Sequence, residues 1–260
     1  MSDLAKLTWQ EAAEWLSADT VALLPVGSTE PHGPHLPLDT DVTIARAQTL
    51  RAVERLGEAG VRSLALPPIA YGVTNFTDGF AGRVTIQPGT LWSLIEDVVE
   101  SLEQQGVRQV VLVNGHLEPA HVKVLRGLAA DRPERTESSA PGGARAQVIV
   151  ADVSRRRWAQ TLGEEFKSGD CHAGRYESSI VLAADPEHVH EGERAGLEPV
   201  SIDLIEKMKA GARTFLEAGA DAAYCGDPAA ASAEEGRDLI DRLATVVVES
   251  AREAWPELFA

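Results

Sequence analysis

Four mostly apolar runs, separated by stretches of helical periodicity, constrain most strongly what this chain can fold into. They occupy residues 20–26, 63–67, 109–113 and 147–153. A strand with one face in solvent alternates apolar and polar residues, whereas a strand buried on both faces is apolar throughout. Alternation of such strands with helices favours a parallel sheet. The prediction is a single α/β domain over residues 1–260, with a largely parallel β-sheet flanked by helices on both faces.

Capping and turn signals place helices between these runs. Thr8 and Glu11 have the spacing of a capping box, and Asp41 is a candidate cap for the next helix. Helices are predicted over residues 41–53, 88–105 and 174–184, from about residue 119, and from Asp227-Pro228 towards the C-terminus. A short strand is predicted at residues 83–86. Residues 131–146, rich in Pro, Gly, Ser and charge, are predicted to form a loop.

Charge and cysteine content exclude several classes of protein. The 260 residues carry 24 basic and 40 acidic side chains, a formal charge of −16. Such a surface repels phosphate backbones, so nucleic-acid binding is not expected. Two cysteines are too few for a disulfide framework, which suits free thiols in a cytoplasmic protein. No apolar run reaches the ~18 residues of a membrane span, and no signal peptide is recognisable, so we expect no membrane partner.

Polar side chains follow the ends of two predicted strands. Glu30 and His32 come after the first strand, and His116 comes after the strand at residues 109–113. Ligands of open parallel sheets bind beyond the carboxyl ends of the strands. The topology and the chemistry therefore indicate the same edge of the sheet.

Five of the seven histidines lie in three short segments that also carry carboxylates, at residues 30–41, 114–121 and 170–179. Imidazole and carboxylate together suit Zn²⁺, Mn²⁺ or Fe²⁺. Ligands as close as Glu30 and His32 can project to different metals from one loop. A two-metal centre lowers the pKa of a bridging water, so that hydroxide attacks near neutral pH, and polarises the attacked carbonyl. The prediction is a hydrolase of amide-like C–N bonds with two divalent ions per chain, Zn and/or Mn, with Fe as a further candidate.

These segments carry a family resemblance. Residues 26–37 read Val-Gly-Ser-Thr-Glu-Pro-His-Gly-Pro-His-Leu-Pro, residues 114–116 read Asn-Gly-His, and residues 172–179 read His-Ala-Gly-Arg-Tyr-Glu-Ser-Ser. They resemble, in order, the Glu-Gln-His-Gly-Pro-His, Asn-Gly-His and His-x-Gly-x-x-Glu-Thr-Ser segments of the creatininase (creatinine amidohydrolase) family. The match spans most of the chain, so it implies the fold and the hydrolytic chemistry of that family.

The resemblance implies five metal ligands. Glu30 and His116 would hold one metal ion, and His32 and Glu118 would hold the other. Asp41 would bridge the two ions. Two of these residues also have simpler interpretations, because Asp41 can cap a helix and an acidic residue such as Glu118 is favoured near a helix N-terminus.

Two further residues have implied catalytic roles. His172 would carry the proton to the leaving nitrogen. Glu177 matches the remaining family carboxylate and would be a ligand or a group that activates water. Family members commonly assemble into hexamers, so the resemblance also implies a homo-oligomer that acts on a small-molecule substrate. His35 is interpreted as a residue that fixes its loop by hydrogen bonding, and His121 as a helix-face residue.

The chain departs from the family in its substrate wall. Pro31 replaces the usual Gln, and the His-x-x-Phe-Pro-Gly-Thr segment appears at residues 77–83 without its His, Pro and Thr. The enzyme that gives the family its name has a pocket tryptophan shortly before the third motif, but residues 167–171 contain none. These departures argue against creatinine and favour another small amide, lactam or cyclic C–N substrate. The alternatives are a formylamino-pyrimidine deformylase, a mycofactocin-precursor type of peptidase, an inosose-derivative hydrolase, or a non-catalytic metal-binding protein.

Overall fold

The computed structural model describes residues 2–132 and 145–259. Its sheet consists of β1 (Val21–Val26), β2 (Ser63–Ala65), β3 (Gln109–Asn114) and β4 (Gln147–Val150). The strands lie in the order β2-β1-β3-β4, and every neighbouring pair is parallel. The predicted α/β fold with a parallel sheet is confirmed.

The helices of the described residues follow the strands as the sequence periodicity indicates, with several short helices after β4 that the sequence did not predict. None of them has the length and apolar content needed to cross a membrane. In chain order they are α1 (Trp9–Trp15), α2 (Thr40–Glu58), α3 (Pro88–Gln104), α4 (Pro119–Asp131), α5 (Arg156–Ala159), α6 (Glu164–Ser168), α7 (Arg175–Ala184), α8 (Glu191–Arg194), α9 (Leu204–Lys209), α10 (Phe215–Ala218) and α11 (Ala233–Ala254).

Helices cover both faces of the sheet, which explains why its strands are apolar throughout. Leu23 and Val111 point to one face, where they pack in the same core as α2, α7 and α11. Leu24 and Leu112 point to the other face and pack with α3 and α4. All four side chains are almost fully buried, as expected when successive strand residues alternate between two covered faces.

Of two sequence signals for the start of a helix, one predicts the observed helix and the other does not. The capping box of Thr8 and Glu11 forms as predicted and opens α1. The prediction that Asp227-Pro228 opens the long C-terminal helix is wrong. Asp227 caps only a 3-10 turn, Pro228–Ala230, and α11 begins at Ala233, where the Ser232 hydroxyl accepts the Glu235 N–H. An Asp-Pro pair suits either kind of helical turn, so the pair alone does not set the length.

Two weaker predictions also need correction. Residues 83–86 do not form a strand: Val84 makes an isolated antiparallel bridge with Thr29, and the Ile86 N–H binds the carbonyl of Gly72 outside the sheet. The last strand ends at Val150 rather than at residue 153. Of the predicted loop at residues 131–146, α4 includes Asp131, and residues 133–144 lie outside the described residues.

Close packing of α7 against α11 sets the position of the helix that carries Glu177. A Cβ atom on Gly236 of α11 would overlap the backbone carbonyl oxygen of Ser179 in α7. Backbone atoms cannot move aside as the end of a side chain can, so only glycine allows this helix separation.

We therefore expect Gly236→Ala to lower the free energy of unfolding by about 1–3 kcal/mol, the usual cost of overpacking a core. Urea unfolding measures the change. Gly57→Ala in α2 is the matched control, because a Cβ there would meet nothing within 4 Å. This substitution should stabilise the protein by about 0.5 kcal/mol, since alanine favours the helix over glycine. A Gly236→Ala protein as stable as the Gly57→Ala protein would contradict the packing argument.

Candidate metal centre

The first turn of α2 lies against the carboxyl ends of β1 and β3, and glycines make this approach possible. A Cβ on Gly27, just after β1, would lie 2.7 Å from the backbone nitrogen of Val42. A Cβ on Gly115, just after β3, would overlap the carbonyl oxygen of Asp41. Asp41 is thereby held at the sheet edge where the loops after both strands carry their histidines.

One group of candidate ligands consists of Glu30, Asp41 and His116, all buried. The Nδ1 atom of His116 lies 3.1 Å from Glu30 Oε1 and 2.9 Å from Asp41 Oδ2. The N-cap position of α2 is occupied by Asp39, whose side chain makes no capping hydrogen bond, and Asp41 lies inside the first turn. The interpretation of Asp41 as a helix cap is therefore wrong, because its carboxylate turns towards the imidazole.

A second group consists of His32, Asp41 and Glu177, which are buried as well. The Nε2 atom of His32 lies 3.3 Å from Asp41 Oδ1 and 3.5 Å from Glu177 Oε2. Asp41 therefore turns one oxygen to each histidine and belongs to both groups. This is the arrangement that a carboxylate bridging two cations requires.

Hydrogen bonds at the far side of each ring orient the two histidines. The Nδ1–H of His32 donates to the carbonyl of Glu30 at 3.1 Å, and the Nε2–H of His116 donates to the carbonyl of Val73 at 2.9 Å. Each ring therefore turns its other nitrogen to the carboxylates, as metal-binding histidines do. Among the described residues, His32 Nε2 and Asp41 Oδ2 are buried without a correctly directed hydrogen bond. Both atoms are therefore available as ligands of a cation.

The charges of this cluster depend on one another. Burial raises the pKa of the Glu177 carboxyl to about 8, with Asp41 adding repulsion and His32 opposing the shift. Burial also opposes a charged His32, but Asp41 and Glu177 outweigh it and raise the pKa of that imidazole to about 10. Three carboxylates therefore compete for the positive charge of two imidazoles. Divalent cations supply such charge, so the donor set fits them.

Glu118 is not part of either group in the described residues. Its Oε2 accepts the backbone N–H of Phe76 at 3.0 Å, and its Oε1 lies 3.5 Å from the Asn75 amide. Burial raises the pKa of this carboxyl. The side chain lines the same cavity as Glu30 and His116, but its role as a ligand stays a prediction.

His172 lies beside the second group. Its ring stacks on Phe215 at 4.2 Å between centroids and lies 4.3 Å from the ring of His32. The Nε2–H donates to the carbonyl of Pro31 at 3.1 Å. Burial and the charge of His32 lower the pKa of His172 to about 3, so its ring is neutral at pH 7. Together with Glu30 and His32, His172 forms a third group whose side chains are close enough to hold one metal ion.

A strained loop joins His172 to Glu177. Ala173 has a φ of 50°, a left-handed conformation that a non-glycine residue adopts at a cost of roughly 1–2 kcal/mol. Its N–H donates to Glu177 Oε2 at 2.7 Å. The Ser178 hydroxyl lies 3.4 Å from the carbonyl of Ala173 and 2.8 Å from His35 Nε2. The predicted hydrogen bond of His35 therefore exists, but it joins the loop of His35 to Ser178 at the start of α7. Ala173 and Ser178 both lie within the third motif, which gave no role to either.

His121 is not a surface residue of α4. It is fully buried, its Nδ1 accepts the Val73 N–H at 3.3 Å, and its Nε2 lies 3.1 Å from Asn114 Oδ1. Asn114 in turn binds the backbone of His116. The helix-face interpretation missed this role because it considered only the periodicity of α4 and not the loop that covers it.

A cavity of about 550 Å³ opens above the cluster. Its floor carries the carboxylates and imidazoles, and its apolar walls come from several elements that the sequence did not connect. Cys171 also lines it, but burial raises the pKa of this thiol well above its usual value. The thiol is therefore not a nucleophile at neutral pH. The apolar wall residues are Phe76, Phe166, Leu204, Ile205, Met208 and Phe215.

Comparisons with known proteins point to one family. The creatininase (creatinine amidohydrolase) family profile matches residues 5–251. The mycofactocin precursor peptide peptidase of Mycolicibacterium smegmatis is 31% identical over 84% of this chain and 79% of its own length. The creatinine amidohydrolase of Pseudomonas putida is 29% identical over 72% and 73%. A solved structure described as "Creatininase Mn" has the same fold, with a TM-score of 0.72 and 23% identity over 98% of this chain and all of the other.

A methyl group at Gly115 should disturb the cluster through the backbone of Asp41. We expect Gly115→Ala to weaken Mn²⁺ binding roughly 10- to 100-fold, the loss typical when support for a metal ligand is removed. Calorimetric titration of metal-free protein measures this affinity. Gly89→Ala is the control, because a Cβ there meets nothing within 4 Å. Equal affinities in the two variants would contradict the role given to the close approach of α2.

Proposed function

The chain belongs to the creatininase family, and from that premise we propose that it is an amidohydrolase with a two-metal centre. The observation that carries the proposal is the position of Asp41. Its two carboxylate oxygens lie 3.3 Å from His32 Nε2 and 2.9 Å from His116 Nδ1. Its negative charge would therefore lie between two cations and reduce their repulsion.

We assign Glu30, Asp41 and His116 to one metal ion, and His32, Asp41 and Glu177 to the other. Each group offers one imidazole and two carboxylates, a donor set that suits Zn²⁺ or Mn²⁺. Bound divalent ions lower the pKa of water and polarise the carbonyl of an amide substrate. This assignment gives Glu177 the place that the motif resemblance implied for Glu118.

His172 is the residue that we propose to move the proton to the leaving nitrogen. Its Nε2–H is engaged by the carbonyl of Pro31, so Nδ1 is the nitrogen that takes up and releases a proton. Before it takes up a proton the ring is neutral at pH 7, because its pKa is lowered by burial and by the neighbouring imidazole of His32. Stacking on Phe215 holds the ring in one orientation.

We propose an amide substrate larger than creatinine. The cavity of about 550 Å³ falls within the roughly 300–1,000 Å³ of ordinary ligand pockets, so a small lactam would leave much of it empty. Its walls of Phe76, Leu204, Met208 and Phe215 suit an apolar group. A relative 31% identical to this chain is named a peptide peptidase. A peptide bond next to a large apolar side chain is therefore the narrower candidate.

The charges around the cavity argue against a phosphorylated substrate. Among the described lining residues, the lysine and arginine side chains are those of Lys167 and Lys209. Lys167 binds Glu164 and Lys209 binds Glu206, each at 2.5 Å. Lysines paired in this way attract a phosphate less strongly, since each ammonium already faces a carboxylate. A nucleotide deformylase is therefore a weaker candidate than an amidohydrolase of uncharged or peptide substrates.

Metal content distinguishes the two carboxylates. We expect the wild-type protein to bind two Mn²⁺ ions per chain after reconstitution, Glu177→Gln to bind one, and Glu118→Gln to bind two, because only Glu177 belongs to a ligand group. Elemental analysis after gel filtration gives the count. One ion in Glu118→Gln together with two in Glu177→Gln would restore the assignment implied by the motifs.

Substrate preference tests the cavity. With Mn²⁺-loaded protein, we expect kcat/KM for short peptides with a large apolar side chain to exceed that for creatinine at least tenfold. His172→Ala should lower kcat by about 10²–10⁴, the usual contribution of a general acid or base, and should keep two bound ions. Higher kcat/KM for creatinine than for every peptide would contradict the proposed substrate class.

A further inference from the structure

The segment of residues 73–77, buried except for Asn75, contacts the candidate centre. It ends at Thr77, the first residue of the stretch where the family motif is lost. Thr77 stands where the family has a histidine. Thr74 and Thr77 are both fully buried, and both hydroxyls lie against the carboxylate of Glu30. The segment therefore directs two hydroxyl groups at a candidate metal ligand, and that of Thr77 stands at the position of the family histidine.

The two oxygens of Glu30 have different surroundings. Oε1 lies 3.1 Å from His116 Nδ1, within the ligand group. Oε2 accepts the hydroxyl of Thr74. The Thr77 hydroxyl lies 3.3 Å from the same Oε2 and 2.9 Å from Thr74 Oγ1. Since a hydroxyl has one proton, Thr77 donates either to the carboxylate or to Thr74, and in both cases Oε2 is occupied while Oε1 is left for a cation.

The backbone fixes the hydroxyl of Thr74 in this place. The backbone N–H of Thr74 donates to the Thr85 hydroxyl at 3.0 Å, and the backbone carbonyl of Thr74 accepts from the Arg83 guanidinium at 3.5 Å. The backbone is thus held on both sides of the residue. The hydroxyl therefore constrains Glu30 more than a side chain on a free loop would.

Glu177, the corresponding carboxylate of the other group, is held differently within the described part of the chain. Its Oε2 accepts the Ala173 N–H at 2.7 Å and is also the oxygen nearest His32 Nε2, at 3.5 Å. Both groups contain one imidazole and two carboxylates, so donor type does not distinguish them. What distinguishes the first group is the pair of hydroxyls that lies against Oε2 of Glu30.

We propose that Thr74, supported by Thr77, is a positioning residue that holds Glu30 as a one-oxygen ligand and strengthens divalent-cation binding at the site of Glu30, Asp41 and His116. The inference rests on the proposed two-metal centre. A carboxylate that is already oriented loses less freedom when it binds an ion. Hydrogen-bond partners of metal ligands typically account for 10–100-fold in affinity, so the two sites bind unequally.

Calorimetric titration of metal-free protein with Mn²⁺ tests this. Thr74→Val/Thr77→Val removes both hydroxyls and keeps the side-chain shape. We expect roughly 10- to 100-fold weaker binding at the site that His116→Ala abolishes, and unchanged binding at the site that His32→Ala abolishes. Thr74→Ser/Thr77→Ser keeps the hydroxyls and should bind as the wild type does. A purely steric role predicts the reverse order, since valine keeps the methyl groups and serine does not.

Thr49→Val is the control, because Thr49 is fully buried and its hydroxyl has no hydrogen-bond partner among the described residues. Two ions bound with wild-type affinity by Thr74→Val/Thr77→Val would overturn the inference. Fewer than two ions on the wild type would overturn the two-metal centre instead. If circular dichroism shows that the double variant does not fold, Thr74→Val alone carries the test, with the same affected site and the same contradicting result.

Discussion

The contact of Asp41 with two imidazoles is the interaction on which the rest of the site depends. It requires the first turn of α2 to touch the ends of β1 and β3, which Gly27 and Gly115 permit by having no Cβ. It also brings a buried carboxylate next to Glu30 and Glu177. Buried like charges of this kind are unfavourable without positive charge between them. Cations bound at this edge, where parallel sheets usually bind ligands, would therefore reduce the repulsion between the buried carboxylates.

A layer of backbone groups orients the candidate metal ligands. Carbonyl groups hold the far nitrogens of His32 and His116, and the N–H of Ala173 holds Glu177. Ala173 occupies a left-handed conformation, so the loop stores strain where it presents this N–H. Backbone groups move less than side chains. The candidate centre is therefore largely preorganised, as the proposed chemistry would require.

How far the site could be predicted varies from residue to residue. Glu30, His32 and His116 follow the ends of parallel strands, and such ends meet at one edge, so their proximity was predictable. Glu118 follows His116 closely in the chain and precedes α4, but its carboxylate accepts the N–H of Phe76 from another loop. Glu177 comes from a distant helix and faces His32 instead. Sequence spacing cannot anticipate which of the two carboxylates faces His32, because this depends on how α7 packs against α11.

The order of amino acids alone determines the parallel α/β sheet, the position of the first candidate ligands at the strand ends, and the family. These properties follow from short-range rules, namely the apolar periodicity of each segment and the spacing within each motif. Three-dimensional packing decides which carboxylate faces which imidazole, which hydroxyls hold Glu30, and that Phe215 supports His172. Those pairings join segments far apart in the chain, and their geometry is set by helix separations and loop conformations that no single segment encodes.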